Sequence, residues 1–128
     1  MAPRDLKGNS RSSLGKEGED LAQQYLKQKG YKLIERNYQS PLGEIDIIAR
    51  EGKTLAFVEV KIRRSPAFGP AKYAVGPRKQ RKLSRVALSY LNHHGLNNVP
   101  ARFDVVAIDV LQGKAEIELI TNAFDLQY

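Results

Sequence analysis

Two neighbouring segments of the sequence decide the fold: Gly43-Glu-Ile-Asp-Ile-Ile-Ala49 and Leu55-Ala-Phe-Val-Glu-Val-Lys-Ile62. Both are rich in apolar and β-branched residues, and residues 51–53 between them are typical of a hairpin connection. The second segment starts apolar on both of its faces, which indicates a central strand that is buried on both sides. We therefore predict two antiparallel strands, over 42–50 and 54–62, at the centre of a sheet.

The flanking sequence predicts two helices and three further strands. Apolar residues recur at helical spacing over 14–29 and over 77–94, and a glycine follows each helix. The remaining strands are predicted over 31–39, 103–111 and 115–120. In the first of these, Tyr31 and Leu33 are expected to point inward, with Ile34 as a further candidate. The order αβββαβ, with one added strand, favours an α/β fold in which helices flank a mixed central sheet.

Composition narrows the class of protein. With 128 residues, 41% hydrophobic and 27% charged, the chain has the size and balance of one globular domain. It has no cysteine, which excludes disulfides, thiolate zinc sites and cysteine nucleophiles. No apolar run approaches the roughly 20 residues of a membrane span. Residues 1–13 lack the apolar core of a signal peptide, so we predict a flexible tail, a single domain over 14–128 and a cytoplasmic location without membrane binding.

The charge predicts a polyanionic partner. Twenty-one Lys and Arg residues against fourteen Asp and Glu give a net charge of +7. Many of the cations follow the central strand or begin the second helix: Arg63, Arg64, Arg78, Lys79, Arg81, Lys82 and Arg85. Cations in the first turn of a helix oppose its dipole, at some tenths of a kcal/mol each. Contacts with nucleic-acid phosphates would explain that cost, and the alternative is a solvated charged face.

Acidic residues of the two central strands are predicted to converge. Strand alternation places Glu59 and Lys61 on one face, where burying charge is costly. They can compensate by pairing with each other or by lying at a solvated strand end. If the hairpin loop has two residues, counting back places Asp46 opposite Glu59 and Glu44 opposite Lys61.

A divalent cation would relieve this crowding of carboxylates. Like charges about 5 Å apart repel by roughly 3 kcal/mol at an effective dielectric near 20, and oxygen ligands suit Mg²⁺ or Mn²⁺. Glu19 lies on the apolar stripe of the first helix, so its carboxylate is expected to face the sheet. Gln80 stands in line with Leu83 and Ala87 on the second helix. The alternative for both is a residue near a helix end that reaches solvent.

The motifs also carry a family resemblance. Gly43-Glu-Ile-Asp46, twelve intervening residues and Glu59-Val-Lys61 resemble the PD-(D/E)xK signature of restriction-endonuclease-like nucleases, with Ile45 where the signature has proline. Further motifs make the chain resemble the YraN-like bacterial family, which is similar to archaeal Holliday-junction resolvases, from about residue 14 to residue 124. These motifs are Gly15-Lys-Glu-Gly-Glu19, Asn37-Tyr38, Phe57-Val-Glu-Val-Lys61-Ile-Arg63, Lys79-Gln80 and Arg102-Phe-Asp104.

The resemblance implies a restriction-endonuclease-like αβββαβ core and a metal-dependent nuclease. Asp46 and Glu59 would bind Mg²⁺ or Mn²⁺, helped by the Val60 carbonyl and by Glu19, directly or through water. Lys61 would orient or deprotonate the attacking water, and Gln80 would help to position Lys61 or that water.

By analogy with the similar nucleases, DNA with a junction, flap or end is favoured over RNA as the substrate. A junction-cleaving enzyme would need two sites, so a homodimer is compatible with this interpretation. Two alternatives stay open. One is a nucleic-acid-binding repair or recombination subunit that keeps the fold with little or no catalysis. The other is a structural ion cluster in which Lys61 neutralises Asp46 and Glu59.

Overall fold

A computed structural model describes residues 11–64 and 75–125, which form a five-stranded sheet with a helix on each face. The helices and strands, in chain order, are α1 (Arg11–Gln28), β1 (Lys32–Ser40), β2 (Gly43–Glu51), β3 (Thr54–Arg63), α2 (Pro77–His93), β4 (Ala101–Leu111) and β5 (Lys114–Phe124). This order agrees with the restriction-endonuclease-like αβββαβ core, extended by one strand. The predicted fold class is therefore confirmed.

The strands lie side by side in sequence order, which makes β3 the central one. Neighbouring strands are antiparallel, except that β3 and β4 are parallel and are connected through α2. The β2–β3 hairpin has the predicted two-residue loop, with Glu51 opposite Thr54. Gly52 begins that loop at φ +60°, a conformation that favours glycine. The predicted pairing register between β2 and β3 is therefore correct next to the loop.

The α1 face of the sheet is sealed by close packing of the helix. Leu21, Ala22 and Leu26 are buried in one apolar cluster with Val58 and other inward residues of β2, β3 and β4. Gly18 is buried directly over Ile62, and a Cβ at this position would overlap the Ile62 side chain. The glycine therefore allows α1 to approach the end of β3 closely.

The α2 face has an aromatic core. Leu83 and Val86 of α2 pack in a cluster with Phe57 and Phe103 of the sheet. Tyr90 meets the Phe57 ring edge-on, with ring centroids 5.8 Å apart. Residues of β3 thus alternate between the two clusters, as a central strand buried on both faces requires.

Some boundaries and orientations differ from the sequence prediction. Ile34 is the extra residue of a bulge between Leu33 and Glu35 and is 46% exposed, so its candidate inward orientation is wrong. Helix α1 begins at Arg11, within the predicted tail. The rest of that tail, residues 1–10, and residues 65–74 lie outside the described residues.

A buried polar network joins β4 to its neighbours. Asp104 is fully buried, and its carboxylate accepts hydrogen bonds from the Tyr31 hydroxyl (2.6 Å), the Arg102 guanidinium (3.0 Å) and the Asn122 backbone N–H (2.9 Å). Arg102 also binds Glu51 at 2.7 Å. Burial and the Asp104 carboxylate raise the pKa of Tyr31 well above its usual value. Each oxygen of Asp104 thus has donors, as a buried carboxylate needs.

No helix in the described part of the chain is both long enough and apolar enough to cross a membrane.

Candidate active site

The pairing between β2 and β3 changes at Asp46. Backbone pairs continue from Glu51 with Thr54 to Ile47 with Val58, where the regular ladder ends. Beyond it, the Asp46 carboxylate accepts the backbone N–H of Val60 at 2.8 Å. The Asp46 side chain therefore takes a hydrogen bond that a main-chain carbonyl would otherwise accept.

Strand alternation also fails next to Asp46. Ile45 packs in the α2 cluster and Ile47 in the α1 cluster, although residues two apart in a regular strand share a face. Asn37 stands across from Asp46 on β1, between two regular pairs, and has φ +56°. Regular alternation would place Glu44, Asp46 and Ile48 on one face, and this does not hold because the backbone is irregular at this point.

The structure brings the carboxyl groups of Asp46 and Glu59 together. Glu59 is only 7% exposed, and its carboxyl lies within hydrogen-bonding reach of the Asp46 carboxyl. Burial, then the negative charge of Asp46, then this hydrogen bond raise the pKa of Glu59 to about 8. Two negative charges in this buried place would repel each other, so the raised pKa favours a proton on Glu59.

Two lysines lie near this acid pair. The Lys79 ammonium is 3.8 Å from a carboxylate oxygen of Glu59, and Lys61 lies two residues further along β3. The positive charges of Lys79 and Lys61 act to lower the pKa of Glu59, but burial and Asp46 outweigh them. Lys61 therefore lies near Glu59, as its place on the same face of β3 predicted, and Lys79 of α2 joins it.

Sequence reasoning assigned Lys79 only to phosphate binding and missed its contact with Glu59. A signal was present, because Lys79 precedes Leu83 by four residues and Val86 by seven. That spacing places Lys79 on the stripe of α2 that faces the sheet.

Glu19 approaches the pair from α1. Burial and then the charge of Asp46 raise the pKa of Glu19, while Asn37 and Arg36 act to lower it. The Arg36 guanidinium is 3.6 Å from Glu19 and 2.6 Å from Asp20. Glu19 thus faces the site as predicted and is held there by β1.

Two other acidic or amide residues have different partners from those expected. Glu44 is exposed and accepts a 3.4 Å hydrogen bond from Gln39, so it pairs toward β1 rather than lying opposite Lys61. The Gln80 amide donates to the Val75 carbonyl at 3.0 Å, just before α2. Its predicted action on Lys61 or on water stays a prediction.

Apart from Lys79, the predicted nucleic-acid-binding cations fall into two groups. Arg63 ends β3 opposite Asp109, and within the described residues its buried Nε has no hydrogen-bond partner. Arg64 follows in a bend. The second group comprises exposed cations on one side of α2, called the basic face below: Arg78, Arg81, Lys82 and Arg85.

The carboxylate oxygens of Asp46 and Glu59 suit a hard divalent cation, although the set of ligands is small. In residues 11–64 and 75–125 no three carboxylate, histidine or cysteine side chains converge on one point. Asp46 and Glu59 nevertheless crowd their oxygens into a buried place, where a proton or a cation must offset the charge. These two residues could hold Mg²⁺ or Mn²⁺. Glu19 lies close enough for the charge of Asp46 to raise its pKa. The backbone carbonyl of Val60 stays a predicted ligand.

Comparison with known proteins gives the family. The uncharacterised protein family UPF0102 matches residues 18–108, which include the acid pair and both lysines. A UPF0102 protein of Geobacter sulfurreducens is 53% identical over 116 residues, covering 90% of this chain and 91% of its own. Similar proteins of Syntrophus aciditrophicus and Alkaliphilus metalliredigens are each 50% identical, covering 89% and 88% of this chain and 90% and 97% of their own. The chain therefore belongs to the UPF0102 family, and the resemblance to YraN-like proteins is confirmed.

Proposed function

We propose that this protein is a metal-dependent nuclease that hydrolyses phosphodiester bonds of structured DNA. The observation that carries the proposal is the buried contact between Glu59 and Asp46, with Lys61 and Lys79 beside it. Two acids and a lysine at the end of a central strand are the groups that phosphodiester hydrolysis with a metal needs. Membership of the family alone indicates no activity, so the proposal rests on this geometry.

Each residue of the site has a distinct task in such a reaction. Asp46 and Glu59 would hold Mg²⁺ or Mn²⁺, which when bound lowers the pKa of a water and neutralises phosphate oxygens. The Val60 N–H fixes the orientation of the Asp46 carboxylate. Lys61 orients or deprotonates the attacking water and stabilises the negative charge that develops on the phosphate oxygens.

The surroundings of the site suit a phosphate backbone. The first turn of α2 contains no acidic residue, and Gly76 provides no side-chain cap for its N–H groups. Free N–H groups at the start of a helix attract anions, and the basic face adds four cations along the same helix. Structured DNA, with a junction, flap or end, is favoured by analogy with nucleases of this fold. A homodimer would offer two such sites to a branched substrate.

A second candidate function is a nucleic-acid-binding repair or recombination subunit with little or no catalysis. The small ligand set favours it, because only two carboxyl groups share a hydrogen bond and Lys79 already offsets part of their charge. Binding of a divalent cation separates this candidate from the nuclease.

Cleavage assays test the proposal directly. Wild-type protein is incubated with Mn²⁺ and a panel of branched, duplex and single-stranded DNA and RNA, beside Asp46→Ala. Glu44→Gln is the matched control, because it removes an exposed acid of the same strand. We expect cleavage by the wild type and by the control, and none by Asp46→Ala. The nuclease proposal fails if the wild type neither cleaves any substrate nor binds Mn²⁺ at millimolar concentration.

A further inference from the structure

Leu42 is an exposed apolar residue in a positively charged setting. Three large apolar side chains among the described residues are strongly exposed: Ile34 at 46%, and Leu42 and Leu111 at 49% each. Leu42 lies in the turn between β1 and β2 and lines a cleft of 360 Å³. The other residues that line this cleft are the four cations of the basic face. Leu42 therefore presents the only apolar side chain among the described residues that line this cleft.

The turn holds Leu42 firmly against α2. The Leu42 N–H donates to the Ser40 hydroxyl at 3.1 Å, and that hydroxyl donates to the Gly43 carbonyl at 3.2 Å. Gly43 has φ +144°, and a Cβ at this position would lie 3.1 Å from Lys82 and 3.2 Å from Val86. A residue larger than glycine would strain the backbone and press the turn away from α2. The sequence therefore fixes where the leucine stands.

A second cleft connects this position with the acid pair. It has a volume of 470 Å³ and is lined by Gly76, Pro77, Arg78, Lys79 and Lys82. Arg78 and Lys82 line both clefts, and Lys79 is the residue that reaches Glu59. A cationic path thus leads from the acid pair along α2 to Leu42.

We propose that Leu42 is an apolar wedge that contacts an unstacked base of a nucleic acid held on the basic face. This inference rests on the proposed function for its ligand and adds to it a residue that recognises a break in the duplex. Phosphates occupy the cations, so the apolar partner left for Leu42 is the face of a base. In a continuous duplex that face is covered by stacking, and exposing it has a cost. At a fork, flap or junction the base step is already open, and the contact forms without this cost.

Binding of forked DNA tests the wedge. Fluorescence anisotropy in EDTA, where no cleavage occurs, compares a fork with a continuous duplex of matched length for wild type and Leu42→Ser. Burying the exposed half of a leucine is worth roughly 5- to 10-fold in affinity. We expect Leu42→Ser to lose about this factor for the fork and to change duplex binding by less than 2-fold. Leu111→Ser is the matched control, because it removes an equally exposed leucine from the end of β4 and should leave both affinities unchanged.

A base analogue gives an independent readout. With 2-aminopurine at the branch point of the fork, its fluorescence should change from the free-fork value on binding of the wild type and of Leu111→Ser, and should keep that value with Leu42→Ser. The wedge is refuted if Leu42→Ser keeps the preference for the fork, or weakens binding of fork and duplex equally. That result leaves the nuclease proposal standing wherever cleavage with Mn²⁺ is observed. Absence of binding to any DNA by the wild type would instead overturn the proposed function, and the wedge with it.

Discussion

Replacing Glu59 by glutamine should stabilise the metal-free protein at alkaline pH. Burial and Asp46 raise the pKa of Glu59 from 4.5 to about 8. At 1.36 kcal/mol for each pH unit, that difference corresponds to on the order of 5 kcal/mol as an upper bound. Direct repulsion between two carboxylates about 5 Å apart gives roughly 3 kcal/mol at an effective dielectric near 20. Because the Lys79 contact with Glu59 is lost in the variant, we expect a net gain of about 2 kcal/mol.

The gain should depend on pH in a definite direction. The pKa of Glu59 is higher in the folded than in the unfolded chain, so the folded state binds a proton more tightly. The stabilisation from that proton is complete below about pH 4.5 and is lost as the pH rises through 8. Wild-type protein should therefore lose stability between pH 5 and pH 9 relative to Glu59→Gln, which has no charge to gain. Near pH 5 the two proteins should be almost equally stable.

Urea unfolding in EDTA at pH 5, 7 and 9 measures this difference. Glu44→Gln is the control, since it removes an exposed carboxylate that lies on β2 and bonds to Gln39. In thermal unfolding, a gain of about 2 kcal/mol would raise the melting temperature by on the order of 10 °C in a domain of this size. Equal pH dependence of wild type and Glu59→Gln would show that Asp46 and Glu59 do not share a proton. Adding Mn²⁺ should then stabilise the wild type and leave Glu59→Gln unchanged, because ligand binding stabilises only a fold that holds the ligand.

Three further predictions concern the cations. Lys79→Ala should bind Mn²⁺ several-fold more tightly than the wild type, because the ammonium that competes for Glu59 is gone. Calorimetric titration measures the affinity, with Lys53→Ala at the β2–β3 turn as the control. Weaker binding of Mn²⁺ by Lys79→Ala would contradict the prediction. Lys61→Ala should retain Mn²⁺ yet lose most turnover in single-turnover cleavage, and undiminished turnover would remove Lys61 from the mechanism. If about five of the predicted cations contact phosphates, log K for duplex DNA should fall with log salt at a slope of roughly −4 to −5. An affinity that ignores salt would argue against phosphate binding.

Local pattern was sufficient to predict most of the fold. Glycine at the start of the two-residue turn fixed the β2–β3 register, and apolar spacing located both helices to within a few residues. The bulge that exposes Ile34 could not be predicted, since it depends on how β1 meets β2. Nor did the sequence indicate the network around Asp104, because its donors come from positions as distant as Tyr31 and Asn122.

The acid pair was predicted for a partly incorrect reason. The count from the hairpin placed Asp46 opposite Glu59, and the two carboxyl groups do meet. The count assumed a regular strand, however, and the ladder ends one residue earlier, where Asp46 bonds to the Val60 N–H. The same irregularity explains why Glu44 is not opposite Lys61. Periodicity thus indicates which residues approach each other, while the detailed geometry depends on hydrogen bonds that the pattern does not contain.

A comparison of two buried acidic positions argues against a purely structural role for the acid pair. Asp104 is fully buried and receives donors from an arginine, a tyrosine and a backbone N–H, so its charge is compensated within the fold. Glu59 is almost as buried, yet the groups that face its carboxyl include another acid, Asp46, and an ammonium 3.8 Å away. Both arrangements occur in one small domain, and at Asp104 an arginine of the same fold neutralises the buried carboxylate. At Glu59 the neighbouring group is the acid Asp46 instead, and a bound cation would remove the remaining repulsion between the two carboxylates.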